Sequence, residues 1–153
     1  MNTYDANKAL WDRLQSLTDN SPLTMRPDEI FDPKEASTNK FVRRAEIMWN
    51  KPETVGFRRG AYTRTQAIYQ INLYVPRKYS TSTQGTLEIA SDWADQHVDL
   101  FFPTNGRGLS LTENQTEVII HRRPHRYTLG RHGSYWVEIC SVEFFVDDDP
   151  PLT

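Results

Sequence analysis

AYTRTQAIYQINLYVP, residues 61–76, decides the fold class. Ala67, Tyr69, Ile71, Leu73 and Val75 alternate with Gln66, Ile68, Gln70, Asn72 and Tyr74. A strand sends successive side chains to opposite faces, so the alternation predicts one apolar face and one polar-aromatic face. Pro76 ends the strand because it cannot donate to a ladder. The N-terminal half, Tyr62–Gln66, is polar on both sides, which predicts an arm reaching beyond the sheet.

Downstream, KYSTSTQGT (residues 78–86) reads as a polar linker. Thr86 to Phe102 then predicts a helix with Leu87, Ala90, Ala94, Val98 and Phe101 as its apolar stripe. Asp92, Asp95 and Asp99 form its wet side, and Pro103 stops it. GLSL (108–111) and TEVIIH (116–121) predict a short hairpin around TENQ, and TNGRG (104–108), which follows a helix, reads as a turn. SYWVEICSVEFFV (134–146) predicts the last strand. DDDPPLT (147–153) predicts an acidic, flexible C-terminal tail.

Upstream, NKPETVGFRRG (50–60) reads as a turn or flexible loop carrying Arg58 and Arg59. Phe41–Trp49 predicts a strand with Phe41, Ala45, Ile47 and Trp49 on one face. Residues 18–38 hold three prolines and many turn formers, and predict an irregular extended segment. Asp5 is the expected N-cap of a first helix over Ala6–Leu17. The order helix, strand, strand, helix, strand, strand, strand predicts an α+β fold. Its sheet is mainly antiparallel, with two helices on one face and extended loops or arms. The chain reads as a single domain over 1–146 followed by the tail.

At 153 residues the chain is long enough for a core without staples. Its 37% apolar and 25% charged residues are ordinary for a globular domain. Cys140 is the only cysteine and lies in an apolar run, so it predicts a buried, inert thiol and excludes any disulfide within one chain. MNTYDANKAL lacks a basic-then-apolar pattern, so no signal peptide is expected. No stretch reaches eighteen apolar residues, so no membrane span is expected, and assembly in a host cytoplasm fits.

The net charge of −2 is unevenly distributed. Thr54–Leu87 carries five bases and no acid, and Val118–Val137 four arginines and no acid. Glu88–Glu117 carries six acids against Arg107, and Glu138–Thr153 five acids and no base. Such blocks suit docking onto copies of the same chain or onto a charged partner, or they are solvated faces.

HRRPHRYTLGRHG, residues 121–133, concentrates His121, His125 and His132 with Arg122, Arg123, Arg126 and Arg131. In a strand, positions 121 and 125 sit about 13 Å apart, too far for one ion. Pro124 opposes the helix that would bring them together, and the arginines repel a cation. No nucleophile elbow, P-loop or dinucleotide fingerprint occurs, so no catalytic, cofactor or metal residues are assigned. A small basic-loop protein that binds nucleic acid is the alternative from a different class: arginines interleaved with Tyr62, Tyr69 and Tyr127 could meet phosphate and stack on bases. The slightly acidic balance and the absence of a known nucleic-acid-binding pattern weigh against it.

Two segments carry a resemblance. QAIYQINLYVP, followed by a polar linker and an acid-faced helix ending at FFP, resembles a family pattern G-x-Y-Q-I-x-V-x-V-P before a helix, with Ala67 and Leu73 in place of its glycine and first valine. GSYWVEICSVEFFV, after a long basic turn, is similar in kind to a closing strand that the family writes G-W-Y-x-x-x-V-x-V-x-F, sharing its glycine–aromatic start and apolar-rich run rather than each position. With the ALWDRL helix and the proline-rich segment before KFVRRAEIMW, residues 6–146 resemble the small tail terminator proteins of long-tailed bacteriophages. The stretch 50–66 is longer than the family pattern.

The resemblance implies an α+β subunit of a non-enzymatic ring, usually a hexamer, at the junction of tail and neck in the virion. The ring would cap the tail tube, stop its polymerisation and present a surface to the neck or head-completion protein, with genomic DNA passing through its lumen without specific binding. Another head–tail joining or tube-type protein is the nearest alternative. On this reading Arg58, Arg59, Tyr62, Arg64, Arg122, Arg123, Arg126, Tyr127 and Arg131 form the contacts to subunit, tube or neck. Tyr69, Tyr74, Tyr135 and Trp136 are further anchors, with core packing the alternative for Tyr69 and Trp136. No cofactor is implied.

Overall fold

The computed structural model describes residues 2–29, 31–32, 40–56, 60–77, 85–103 and 107–148. The elements are α1 (Thr3–Gln15), β1 (Leu23–Met25), β2 (Val42–Trp49), β3 (Glu53–Val55), β4 (Tyr62–Pro76), α2 (Thr86–Phe101), β5 (Leu109–Glu113), β6 (Thr116–Ile120), β7 (His125–His132) and β8 (Tyr135–Asp148). All eight strands join one sheet in the order β1-β2-β4-β8-β6-β5. β3 adds to β4 and β7 adds to β8. Only β1–β2 is parallel, so the fold is α+β with a mainly antiparallel sheet.

The stretch 61–76 is the spine. β4 pairs with β8 from Thr63↔Asp148 to Pro76↔Tyr135, and with β2 from Trp49↔Ala67 to Val42↔Tyr74. Opposed residues share a face, which sets the core. Ala67, Tyr69, Ile71, Leu73 and Val75 meet Cys140, Val142, Phe144 and Val146 in one buried cluster. Ala6, Ala9, Leu10 and Leu14 of α1 and Ala90, Trp93, Ala94, Val98 and Phe101 of α2 join that cluster, so both helices cover the same face. Burying each large side chain contributes roughly 1.5–3 kcal/mol over leaving it exposed. Leu87, expected in the stripe of α2, is 57% exposed, and Trp93 and His97 take that flank instead. The opposite face is covered at one end, where Phe31 packs edge-on against Tyr74 (4.8 Å) and Tyr135 (5.6 Å).

Several local expectations change. Asn2, not Asp5, caps α1, accepting from the amides of Tyr4 and Asp5. Asp5 is buried and accepts from Asn114 Nδ2 (3.0 Å), tying α1 to the β5–β6 turn. Asn114 has φ 55°, as a tight two-residue hairpin turn requires. Gly108 is fixed by space: a Cβ there would lie 2.5 Å from the Ile120 carbonyl oxygen. Residues 23–25, expected irregular, form β1 against β2. Tyr62–Arg64 is not a free arm, because β3 pairs with one side of it and β8 with the other. The tail begins later than expected, since Asp147 and Asp148 complete β8.

Candidate assembly surface

The basic stretch is not a long turn: residues 121–124 link β6 to β7, and the rest is one arm of a hairpin. His125–His132 is an edge strand, β7, laid antiparallel on the first half of β8. A register shift between Thr128 and Gly130 bulges Leu129 outward, and Gly130 supplies the positive φ (99°) that the bulge needs. Gly133 turns the chain into β8 with φ 58°.

Most of the arginines are paired at the surface with acids of the same chain. Arg126 lies in the row of Cys140, on the helix-covered face, and reaches α2. Its Nε lies 3.0 Å from Asp95 Oδ1, and its Nη2 donates to Ser91 Oγ (3.0 Å). Arg123 pairs with Asp99 at 3.1 Å, and Arg122 with Glu143 at 3.8 Å. The opposite-sign blocks of the sequence therefore face each other within one chain. Both members of each pair are substantially exposed, so each pair contributes at most about 1 kcal/mol. β7 is exposed along most of its length, and Tyr127 (49% exposed), Leu129 (50% exposed) and Arg131 stand on it with no ion pair among the described residues.

The histidines do not converge. His121 tilts against Phe145 with ring centroids 5.1 Å apart, while His125 and His132 stand at opposite ends of β7. Among the described residues, no three His, Cys, Asp or Glu side chains are grouped to hold a metal.

Tyr62 and Arg64 form a second patch. Arg64 donates to both carboxylate oxygens of Asp147 (2.8 and 3.0 Å) and stacks over Phe145, its guanidinium carbon 3.9 Å from the ring centre. The bond to Asp147 pushes the Arg64 pKa up. Beside this patch lies a polar cavity of about 240 Å³, lined by Asn50, Gln66, Ala67, Ile68, His121, Arg122, Glu143 and Phe144. Arg58 and Arg59 lie outside the described residues. Of the further anchors, Tyr69 and Tyr135 are buried, Tyr74 is half-buried, and Trp136 packs against the core.

Sequence reasoning missed one cluster, centred on Arg43. Its side chain is 1% exposed and lies beneath α2. Nε donates to Thr24 Oγ1 (2.7 Å), and Nη1 donates to His97 Nε2 (3.2 Å). Because arginine only donates, His97 Nε2 must accept, so the proton sits on Nδ1, which donates to the Trp93 carbonyl (2.7 Å). Among the described residues no carboxylate pairs with Arg43. Burial lowers the Arg43 pKa to about 10 and that of His97 to about 4, with Arg43 adding to the effect on His97. The neighbouring Tyr69 hydroxyl is pushed well above its ordinary value by burial. The signal was available: position 43 is in phase with Phe41, Ala45, Ile47 and Trp49. Cys140 is buried as expected, and burial pushes its thiol up to about 12.

Comparison with solved structures adds one finding. The chain is similar to a solved structure over 99% of both chains, with a TM-score of 0.62 and 14% sequence identity. At that identity the likeness shows the fold, an α+β domain, and carries no activity with it. No protein-family model matches the chain, and no curated protein matches it. Among the described residues no helix is long and apolar enough to cross a membrane.

Proposed function

We propose that this chain is a tail terminator of a long-tailed bacteriophage: one subunit of a homo-oligomeric ring, hexameric as in the family it resembles, that has no enzymatic role. The ring occupies the end of the tail tube more favourably than another tube subunit does, which stops polymerisation. Its far face then docks the neck, and genomic DNA passes through the lumen without specific contacts.

One observation supports this reading most. The two segments that carry the resemblance, QAIYQINLYVP and SYWVEICSVEFFV, are β4 and β8, the central strands of the sheet, paired along their whole length. They form one architectural unit, as a shared family fold requires. The nucleic-acid reading loses ground on the same geometry, because Arg122, Arg123 and Arg126 are tied to Glu143, Asp99 and Asp95. That leaves less free positive charge to meet phosphates.

Negative-stain imaging and native mass spectrometry of the purified protein, alone and with terminator-free tails, test the proposal. Rings, and caps at tube ends, are expected. A protein that stays monomeric and never associates with tails overturns it. Gel-shift titration at two salt concentrations tests the rival, which requires salt-dependent binding to duplex or single-stranded DNA.

A further inference from the structure

We propose that copies of this chain join edge to edge, with β7 of one subunit pairing antiparallel with β1 of the next. The inference rests on the ring reading above and names the contact that would build it. β1 and β7 end the same three rows of the sheet. Leu23, Val42, Tyr74, Val137 and Gly130 are aligned across five strands, and Thr24 through Arg43, Leu73 and Glu138 is aligned with Thr128. Met25 is aligned with Tyr127 in the same way, through Arg44, Asn72 and Ile139. Among the described residues each of the two strands pairs with a single neighbour, β2 or β8, so each has an edge that no described strand occupies.

Strand direction fits. β1 runs parallel to β2, and direction then alternates through β4, β8 and β7. β7 therefore runs opposite to β1. A head-to-tail repeat that preserves the sheet's orientation brings the two edges together antiparallel, the commoner arrangement.

Side-chain chemistry fits as well. Tyr127 and Leu129 on β7, and Leu23 on β1 (48% exposed), are three of the molecule's exposed large apolar residues. They place an apolar anchor on each edge. β7 carries His125, Arg126, Arg131 and His132 and no acid, whereas the segments either side of β1 carry Asp19, Asp28 and Glu29 against Arg26. Two β7 strands pairing with each other in a centred antiparallel register would set Arg126 against Arg131, a like-charge opposition that disfavours a two-fold dimer. That opposition weighs against the two-fold pair and leaves the heterologous contact that propagates round a ring.

Disulfide trapping tests the contact in the full chain. Cys140 is buried, so new surface thiols react against a silent background. Leu23→Cys and Leu129→Cys are made singly and together, oxidised mildly and run on non-reducing gels. The double variant is expected to give a ladder of covalent oligomers up to the ring number, and each single variant none beyond a trace of dimer. Leu129→Glu, with an unchanged melting temperature, is expected to weaken self-association roughly tenfold or more. Rings of wild-type protein together with no ladder, or with undiminished assembly of Leu129→Glu, overturn the β7–β1 contact and leave the ring standing. A wild-type protein that remains monomeric, with and without tails, overturns the ring itself.

Discussion

Arg43 and Arg126 are both arginines on the helix-covered face of one sheet, yet their settings are opposite. Arg126 lies at the rim of α2, partly in water, with Asp95 to balance it. Arg43 lies beneath α2, out of water, held by a hydroxyl and a neutral imidazole. The rim pair costs little to form and contributes little. The buried group has given up its hydration for neutral partners, so it specifies how β1, β2 and α2 meet rather than adding stability. Position on one sheet, not residue type, separates a structural arginine from a surface one.

The largest effect that would break this comparison is in the buried region. Trp93 is 1% exposed and packs edge-on against Phe41 and His97 at 5.1 Å. Trp93→Ala is expected to cost about 3–5 kcal/mol in urea denaturation. A loss below 1 kcal/mol would mean that α2 does not close the core there.

Acid comes next. His97 is neutral in the fold, with a pKa of about 4, and titrates near 6.5 once unfolded. Its neutrality leaves stability intact above pH 6.5. Between pH 6.5 and 4 the unfolded chain binds the extra proton, so stability falls with pH, by about 3 kcal/mol in all. His97→Gln should remove that part of the slope. Equal slopes for wild type and variant between pH 7 and 4 would contradict it.

Arg43→Met sharpens the comparison by its size. It relieves a desolvated cation but leaves the buried His97 Nε2 without its donor, so a net loss of no more than about 1–2 kcal/mol is expected, read from the denaturation midpoint. A loss of several kcal/mol would mean that the arginine adds net stability. At the rim, Arg123→Gln and Arg126→Gln should each cost at most about 0.5–1 kcal/mol, less in high salt. Reversing Arg122, Arg123 and Arg126 to Glu is a poor probe of assembly, because the new carboxylates would face Glu143, Asp99 and Asp95 and lower stability first. Arg131, without an ion pair among the described residues, is the cleaner probe: Arg131→Glu should leave the melting temperature unchanged.

The strongest periodic signals translated directly into structure. The alternation in 66–75 became the spine, and the stripe of residues 90–101 became α2 with its aspartates in solvent. Short or mixed segments were less legible. Residues 23–25 are too few for periodicity to show, and only β2 makes them a strand. HRRPHRYTLGRHG lacks alternation because its side chains meet helix, solvent and a bulge in turn, so it read as a loop. Tyr62–Gln66 looked like an arm because polar residues on both faces resemble an unburied strand. The backbone ladders on either side of it leave no trace in composition.

By itself the sequence determined the α+β class, both helices, the central strands and the buried cysteine, since each rests on local periodicity and on burial that hydropathy records. Only the tertiary structure decided what the charges do. Coulomb interaction and desolvation depend on distance and on water, and both are set by residues far away in the chain. The helix α2 lies over β8 and beside β2, and that placement pairs Arg126 with Asp95 and shuts Arg43 away from water with His97.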